Sequence, residues 1–309
     1  MLIPFGSEEW IRTWTLNYIA MTFFLITTDH LETRLWFRDD EDFKAGMNLV
    51  AAVAYSLGID ILAFILMSNH VHFVLACSEE DAWCFITEFK RVYSHYLSRK
   101  YGAREVLRAN GVDVRPLVLG DESLERAIAY VQMNCVAANI CLNPADYPWG
   151  TGNCFFRAKA DKGRTLGSLS QRARFRLTHT RQDLPSGWIL GEDGYILPAS
   201  YVNIDFVEGL YRAPKRMNYF LLNSSKAKHR LALNEMALPS FRDQNILSAI
   251  PDLCQSLFQK RDIQALDPEQ QPLLISQIRR RFSADPNQIA RVTGISYQEI
   301  ARMLDDFGG

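Results

Sequence analysis

The chain has no excess of charge of either sign: 34 Lys and Arg stand against 35 Asp and Glu, a formal net charge of -1. No whole-molecule field therefore draws it to nucleic acid or anionic lipid, and any polyanion must be met by a local patch. Its six cysteines (Cys77, Cys84, Cys135, Cys141, Cys154 and Cys254) include no Cys-x-x-Cys pair, which argues against a zinc ribbon or a disulfide framework. No apolar run approaches the roughly 18–20 residues that cross a bilayer. The longest, Ile59 to Met67, is broken by Asp60 and reads as a buried strand. The N-terminus lacks a basic segment followed by an apolar core and a small-residue cleavage site, and no internal repeat is found. These absences predict a soluble, cytoplasmic protein with free thiols and no membrane partner.

What remains is a globular composition, 48% hydrophobic and 22% charged, and 309 residues of it imply two or three domains. Residues 21–28 (MTFFLITT) are β-branched and aromatic and read as a strand. Asp39, Asp40, Glu41 and Asp42 then suit the positive end of a helix reaching about Ser56, with Phe43, Met47, Val50, Val53 and Ala54 inward and Gly58 as its stop. A strand over about 60–67, a turn at Ser68-Asn69 and an alternating strand from His70 to Ala76 follow. A helix over about 80–101, a short strand at 112–119 and a helix after Asp121 complete a β-α-β-β-α-β-α order. That order predicts an α+β, ferredoxin-like domain, an antiparallel sheet with helices on one face, over residues 1–156.

Beyond Phe156 the composition shifts. Eight Lys and Arg lie between Arg157 and Arg181 with Asp161 the single acid, and six lie in 211–230 with no acid. We expect residues 157–240 to be an irregular basic connector containing a small hairpin. A helical domain over 241–309 should end in a helix-turn-helix-like segment.

Two segments could carry chemistry. In His70-Val71-His72, residues i and i+2 of a strand share a face, and two neutral imidazoles side by side chelate a cation well. The plainer reading is two half-exposed histidines on a strand. Tyr130 and Asn134 are i and i+4 on a helix. An amide oxygen suits Mg²⁺ or Mn²⁺, and a phenol can be a nucleophile beside a polarised phosphate. The plainer reading here is a core aromatic with its hydroxyl satisfied. Tyr93 and Tyr96, on the 80–101 helix, compete for the nucleophile's role and read as core or groove residues. Lys90 and Arg91 belong to that helix's solvated face, with Arg99 and Lys100, and are candidate DNA contacts.

Taken in order, FILMSNHVHFVLA, a long helix and AIAYVQMNCVAANICLNPADYPWGTG resemble the REP-associated tyrosine transposases, a single-tyrosine branch of the His-hydrophobic-His nucleases. Met67, Asn69, His70 and His72 match the first part of the family's pattern. Tyr130, Val131, Asn134, Val136, Ala138, Pro144, Asp146, Tyr147 and Trp149 match the second. The resemblance covers about residues 20–156. Cys135 stands where proline is usual, Gly150-Thr151 replaces a pair of serines, and the Gly-x-x-x-x-x-Arg-Phe-like segment that often precedes the tyrosine helix is absent.

The resemblance implies a metal-dependent nuclease and strand transferase on hairpin-forming single-stranded DNA. His70, His72 and Asn134 would hold one Mg²⁺ or Mn²⁺, and Tyr130 would form a 5′-phosphotyrosine. The chain would be a monomer or a homodimer. A DNA-binding regulator that does not cut is the alternative expectation.

Arg172, Arg174 and Arg176 are expected to flank the groove leading to the tyrosine and hold a hairpin stem by its phosphates. The C-terminal PNQIARVTGISYQEIARML fits a helix-turn-helix for duplex DNA, or an ordinary helical hairpin. Arg279, Arg280 and Arg281 precede it as phosphate contacts, and Ser296, Tyr297 and Gln298 would open its recognition helix.

Overall fold

The structure, a computed structural model, describes residues 21–28, 35–102, 107, 111–138, 140–157, 163–224, 242–282 and 284–306. The first strand, β1 (Phe23–Thr28), leads to helix α1 (Asp40–Leu57). Asp39 caps α1, its side chain accepting the Asp42 N–H, and three acids occupy the first turn, where the helix dipole favours them. Gly58 ends α1 in the left-handed conformation at φ 66, which glycine adopts without strain. Strands β2 (Asp60–Leu66) and β3 (Val71–Ala76) form a hairpin, with His70 immediately before β3. Helix α2 (Glu79–Tyr101), capped by Ser78 and ended by Gly102, leads to β4 (Val112–Leu117). Then come α3 (Ser123–Gln132) and a single turn, α4 (Asn134–Ala137).

The four strands form one antiparallel sheet in the order β2-β3-β1-β4, giving an α+β fold. Successive strand residues point to opposite faces, and β3 shows what covers each. Phe73 packs on Phe85 and Phe89 of α2, while the ring of its neighbour His72 meets Tyr130 of α3. Helices therefore lie on both faces, not on one as expected. All six residues of β3 are buried for that reason.

The stretch after residue 156 is not a mere connector. It holds a two-residue ribbon, β5 (Arg164–Thr165) with β6 (Ile189–Leu190), and helix α5 (Gln171–Thr178) between them. Asn48 of α1 anchors this region, donating to the Leu177 carbonyl and accepting the Ile196 N–H, each at 2.8 Å. The chain then crosses the outer edge of β2, where Val202 bridges Ile61. It continues into α6 (Ile204–Tyr211) and α7 (Pro214–Asn223) on the α3 side. Tyr195, Phe206, Tyr211 and Phe220 all belong to the same core as Phe23.

A second, separate core gathers Ile246, Leu274, Ile278, Ile289 and Ile300. Its helices are α8 (Asp243–Phe258), α9 (Gln271–Phe282), α10 (Pro286–Thr293) and α11 (Tyr297–Asp306). Gly294, at φ 73, makes the turn between the last two. No helix among the described residues is long and apolar enough to cross a membrane.

Candidate functional site

His70, His72 and Tyr130 meet on the α3 face of the sheet. The two imidazole centroids are 4.9 Å apart with rings at 88°, and the His72 and Tyr130 rings are 5.5 Å apart at 86°. Each histidine is held by its Nδ1. For His70 the partner is the Asn69 side-chain oxygen at 2.8 Å. For His72 the partner is the Thr27 hydroxyl at 3.2 Å, on the residue paired with it across the sheet. Orienting a histidine through one ring nitrogen so that the other can bind a cation is the common device of metal sites.

Asn134 does not continue the Tyr130 helix. Helix α3 ends at Gln132, Met133 breaks it, and Asn134 opens the next turn although Cys135 is not a proline. Its Nδ2 donates to the carbonyls of Tyr130 (2.9 Å) and Val131 (3.3 Å), which closes the end of α3. With both N–H groups engaged, the amide oxygen is left to accept, the atom a hard cation takes. Two imidazoles and an amide, were they brought to one ion, would make a neutral donor set of the kind that leaves room for a phosphate oxygen. No cluster of three His, Cys, Asp or Glu side chains able to hold a metal occurs among the described residues.

Tyr130 borders an open cavity of about 570 Å³ lined also by Leu25, Thr27, Thr28, Asp113 and Arg115. Burial raises its phenol above the ordinary value, and the Arg115 charge pulls the other way. Arg115 is paired with Asp113 at 2.5 Å. Thr27, Asp113 and Arg115 were not anticipated from sequence. Alternation within VDVRPL puts Asp113 and Arg115 on one face, but only the register, Thr27 opposite both His72 and Asp113, shows that it is the face that carries His72 and Tyr130.

The rest of the second motif is structural. The Tyr147 hydroxyl donates to the Leu66 carbonyl at 2.7 Å, Trp149 stacks on Phe43 at 5.0 Å, and the Trp149 carbonyl accepts the Leu66 N–H. Thr151 bonds both the N–H and the carbonyl of Phe64 through its hydroxyl. This segment covers the edge of β2, which otherwise presents unpaired backbone groups.

Tyr93 and Tyr96 are far from this chemistry. Tyr93 is buried and donates to the Trp36 carbonyl; Tyr96 donates to Asp42. Lys90 is only 6% exposed, so the expected phosphate contact there is withdrawn, while Arg91 is exposed and doubly bonded to Glu88. Arg172, Arg174 and Arg176 lie on α5, which packs against α1 on the other face of the sheet from Tyr130. They do not flank the tyrosine cavity. Arg174, moreover, braces the carbonyls of Leu169 and Gly167.

Arg279 and Arg281 are exposed at the end of α9, whereas the Arg280 side chain lies outside the described residues, as do Lys226, Lys228 and Arg230. Ser296 and Glu299 form a reciprocal cap at the start of α11, leaving Tyr297, 50% exposed, and exposed Gln298 on its first turn.

No protein-family model matches the chain, nor does any curated protein. Among solved structures, a REP-associated tyrosine transposase bound to a REP hairpin is similar at 14% identity, over 54% of this chain and 90% of that one, with a TM-score of 0.36.

Proposed function

We propose that the chain is a DNA strand transferase that cuts single-stranded DNA at hairpin-forming repeats through Tyr130. The observation that carries this is the contiguous set of His70, His72 and Tyr130 rings on one face of the sheet. Sequence segments about 60 residues apart supply them, in the order and spacing of the transposase motifs.

His70, His72 and Asn134 are the residues to hold Mg²⁺ or Mn²⁺, which when bound supplies charge to draw electron density from a phosphate. The Tyr130 oxygen attacks phosphorus as the bond to the departing 3′ oxygen breaks, and the phenol's proton balances the one that oxygen takes up. The products are a 5′-phosphotyrosine and a 3′-hydroxyl. One phosphoester replaces another, so reversal rejoins strands without ATP. Arg115 favours the phenolate that burial opposes. In the C-terminal unit, α10 and α11 serve as a duplex-binding helix-turn-helix with Tyr297 and Gln298 toward the bases.

The test is adduct formation on a hairpin-tailed oligonucleotide with Mn²⁺, read on a denaturing gel. The native chain should give a covalent adduct and Tyr130→Phe none. Equal adduct from both, or none from either, would overturn the reading.

A further inference from the structure

We propose a second anion site, a phosphate-binding notch on the face of the sheet opposite Tyr130, where the basic stripe of α2 meets His179. Arg91, His95 and Arg99 are successive i, i+4 neighbours, as are Val92, Tyr96 and Lys100, so the six share one side of α2. Against that side sits His179, the residue that ends α5. It adopts a left-handed conformation at φ 56, which few side chains accept, and its ring lies 4.9 Å from that of Tyr96. These seven residues line a cavity of about 480 Å³.

The charges around it are unequally engaged. Arg91 is bonded to Glu88, and Lys100 to Asp39 and Asp42. Arg99 is exposed and has no ion pair among the described residues; His95 is likewise exposed. The nearby carboxylates therefore already have cations, and a guanidinium and two imidazoles remain to receive an anion. Donors converging from two helices suit the tetrahedral oxygens of a phosphate group, whereas a planar carboxylate satisfies the guanidinium fork alone. Arg172 and Arg176, both exposed on α5, extend the basic surface beside the notch.

The ligand is a phosphate group, whether free or part of a nucleic-acid backbone, and the site stands independently of the tyrosine reaction. The experiment is a titration of the full chain at constant ionic strength, following the His95 and His179 ring resonances by NMR. Inorganic phosphate should shift both where chloride does not, and Arg99→Gln should raise the half-saturating concentration about tenfold, the effect of one charge-assisted bond. Arg99 is on the surface, so this variant keeps its fold. Shifts that chloride reproduces, or that Arg99→Gln leaves unchanged, would overturn the proposal. A short oligothymidylate arm assigns the source: if it moves the same resonances at lower phosphate concentration, the ligand is a strand backbone, and if only inorganic phosphate acts, it is the free ion.

Discussion

Asp42 has no exposed surface, and its neighbours explain how its carboxylate is tolerated. It accepts from the Arg38 N–H (2.8 Å), the Tyr96 and Tyr101 hydroxyls (3.0 and 2.8 Å) and Lys100 Nζ (2.7 Å). Lys100 also holds Asp39 at 2.6 Å. Burial by itself would lower Lys100, but its bonds to Asp39 and Asp42 keep it above the ordinary value. Burial would raise Asp39, yet Lys100 and the Asp42 N–H hold it below its ordinary 3.8. A carboxyl lowered in the folded state contributes stability that is present above its unfolded value and disappears as pH falls through the folded one. The raised lysine contributes fully below its unfolded value and loses that contribution only as alkaline pH passes its folded value. Both contributions are thus in place at neutral pH. Asp39→Asn should flatten the fall in urea midpoint on acidification below about pH 4. An acid limb identical to that of the native chain would remove Asp39 from the account.

At the scale of elements, boundaries were legible because capping is local. Asp39 before α1 and the three acids of its first turn, Gly58 after it and Gly102 after α2 mark their ends by backbone chemistry alone. The faces were not legible. The alternation in His70 to Ala76 tells that two surfaces exist, but α3 and α6 on the far side are chosen by contacts remote in sequence, such as Phe23 on Phe206 at 5.5 Å. The histidine pair and Tyr130 could be found in the sequence, since each lies in one short run; Arg115 could not, since only strand register brings it near. The same edge-covering segment explains Gly150. A Cβ there would lie 2.6 Å from the Phe64 carbonyl oxygen and 3.1 Å from Ile65 Cα, both backbone atoms of β2. Gly150→Ser should cost about 1–3 kcal/mol in a denaturant titration, because β2 must shift to admit it. Thr151→Ser keeps the hydroxyl that bonds Phe64 and should be the milder change.

Over the whole molecule, the composition shift after residue 156 was misleading because charge describes a surface and not a core. Beneath the basic residues, Tyr195, Phe206, Tyr211 and Phe220 close the first core, and the anchoring of α5 by Asn48 sends the arginines to the face away from Tyr130. The C-terminal helices differ in that they enclose a core of their own. Among the described residues, polar contacts tie them to the first unit: Gln244 donates to the Phe37 carbonyl at 2.6 Å, and Arg242 lies 3.4 Å from Asp40. Asp243, beside them, turns inward and bonds Gln288 and Arg291 of α10, which fixes α8 to its own unit. A few polar contacts of this kind couple two cores by far less than either core is worth. Ile278, fully buried in the C-terminal core, therefore tests whether the units unfold separately. Ile278→Ala should remove about 2–5 kcal/mol from that core alone. Calorimetry of the full chain should then show one transition moved to lower temperature and the other unmoved. A single transition that shifts as a whole would mean that the two cores unfold as one cooperative body.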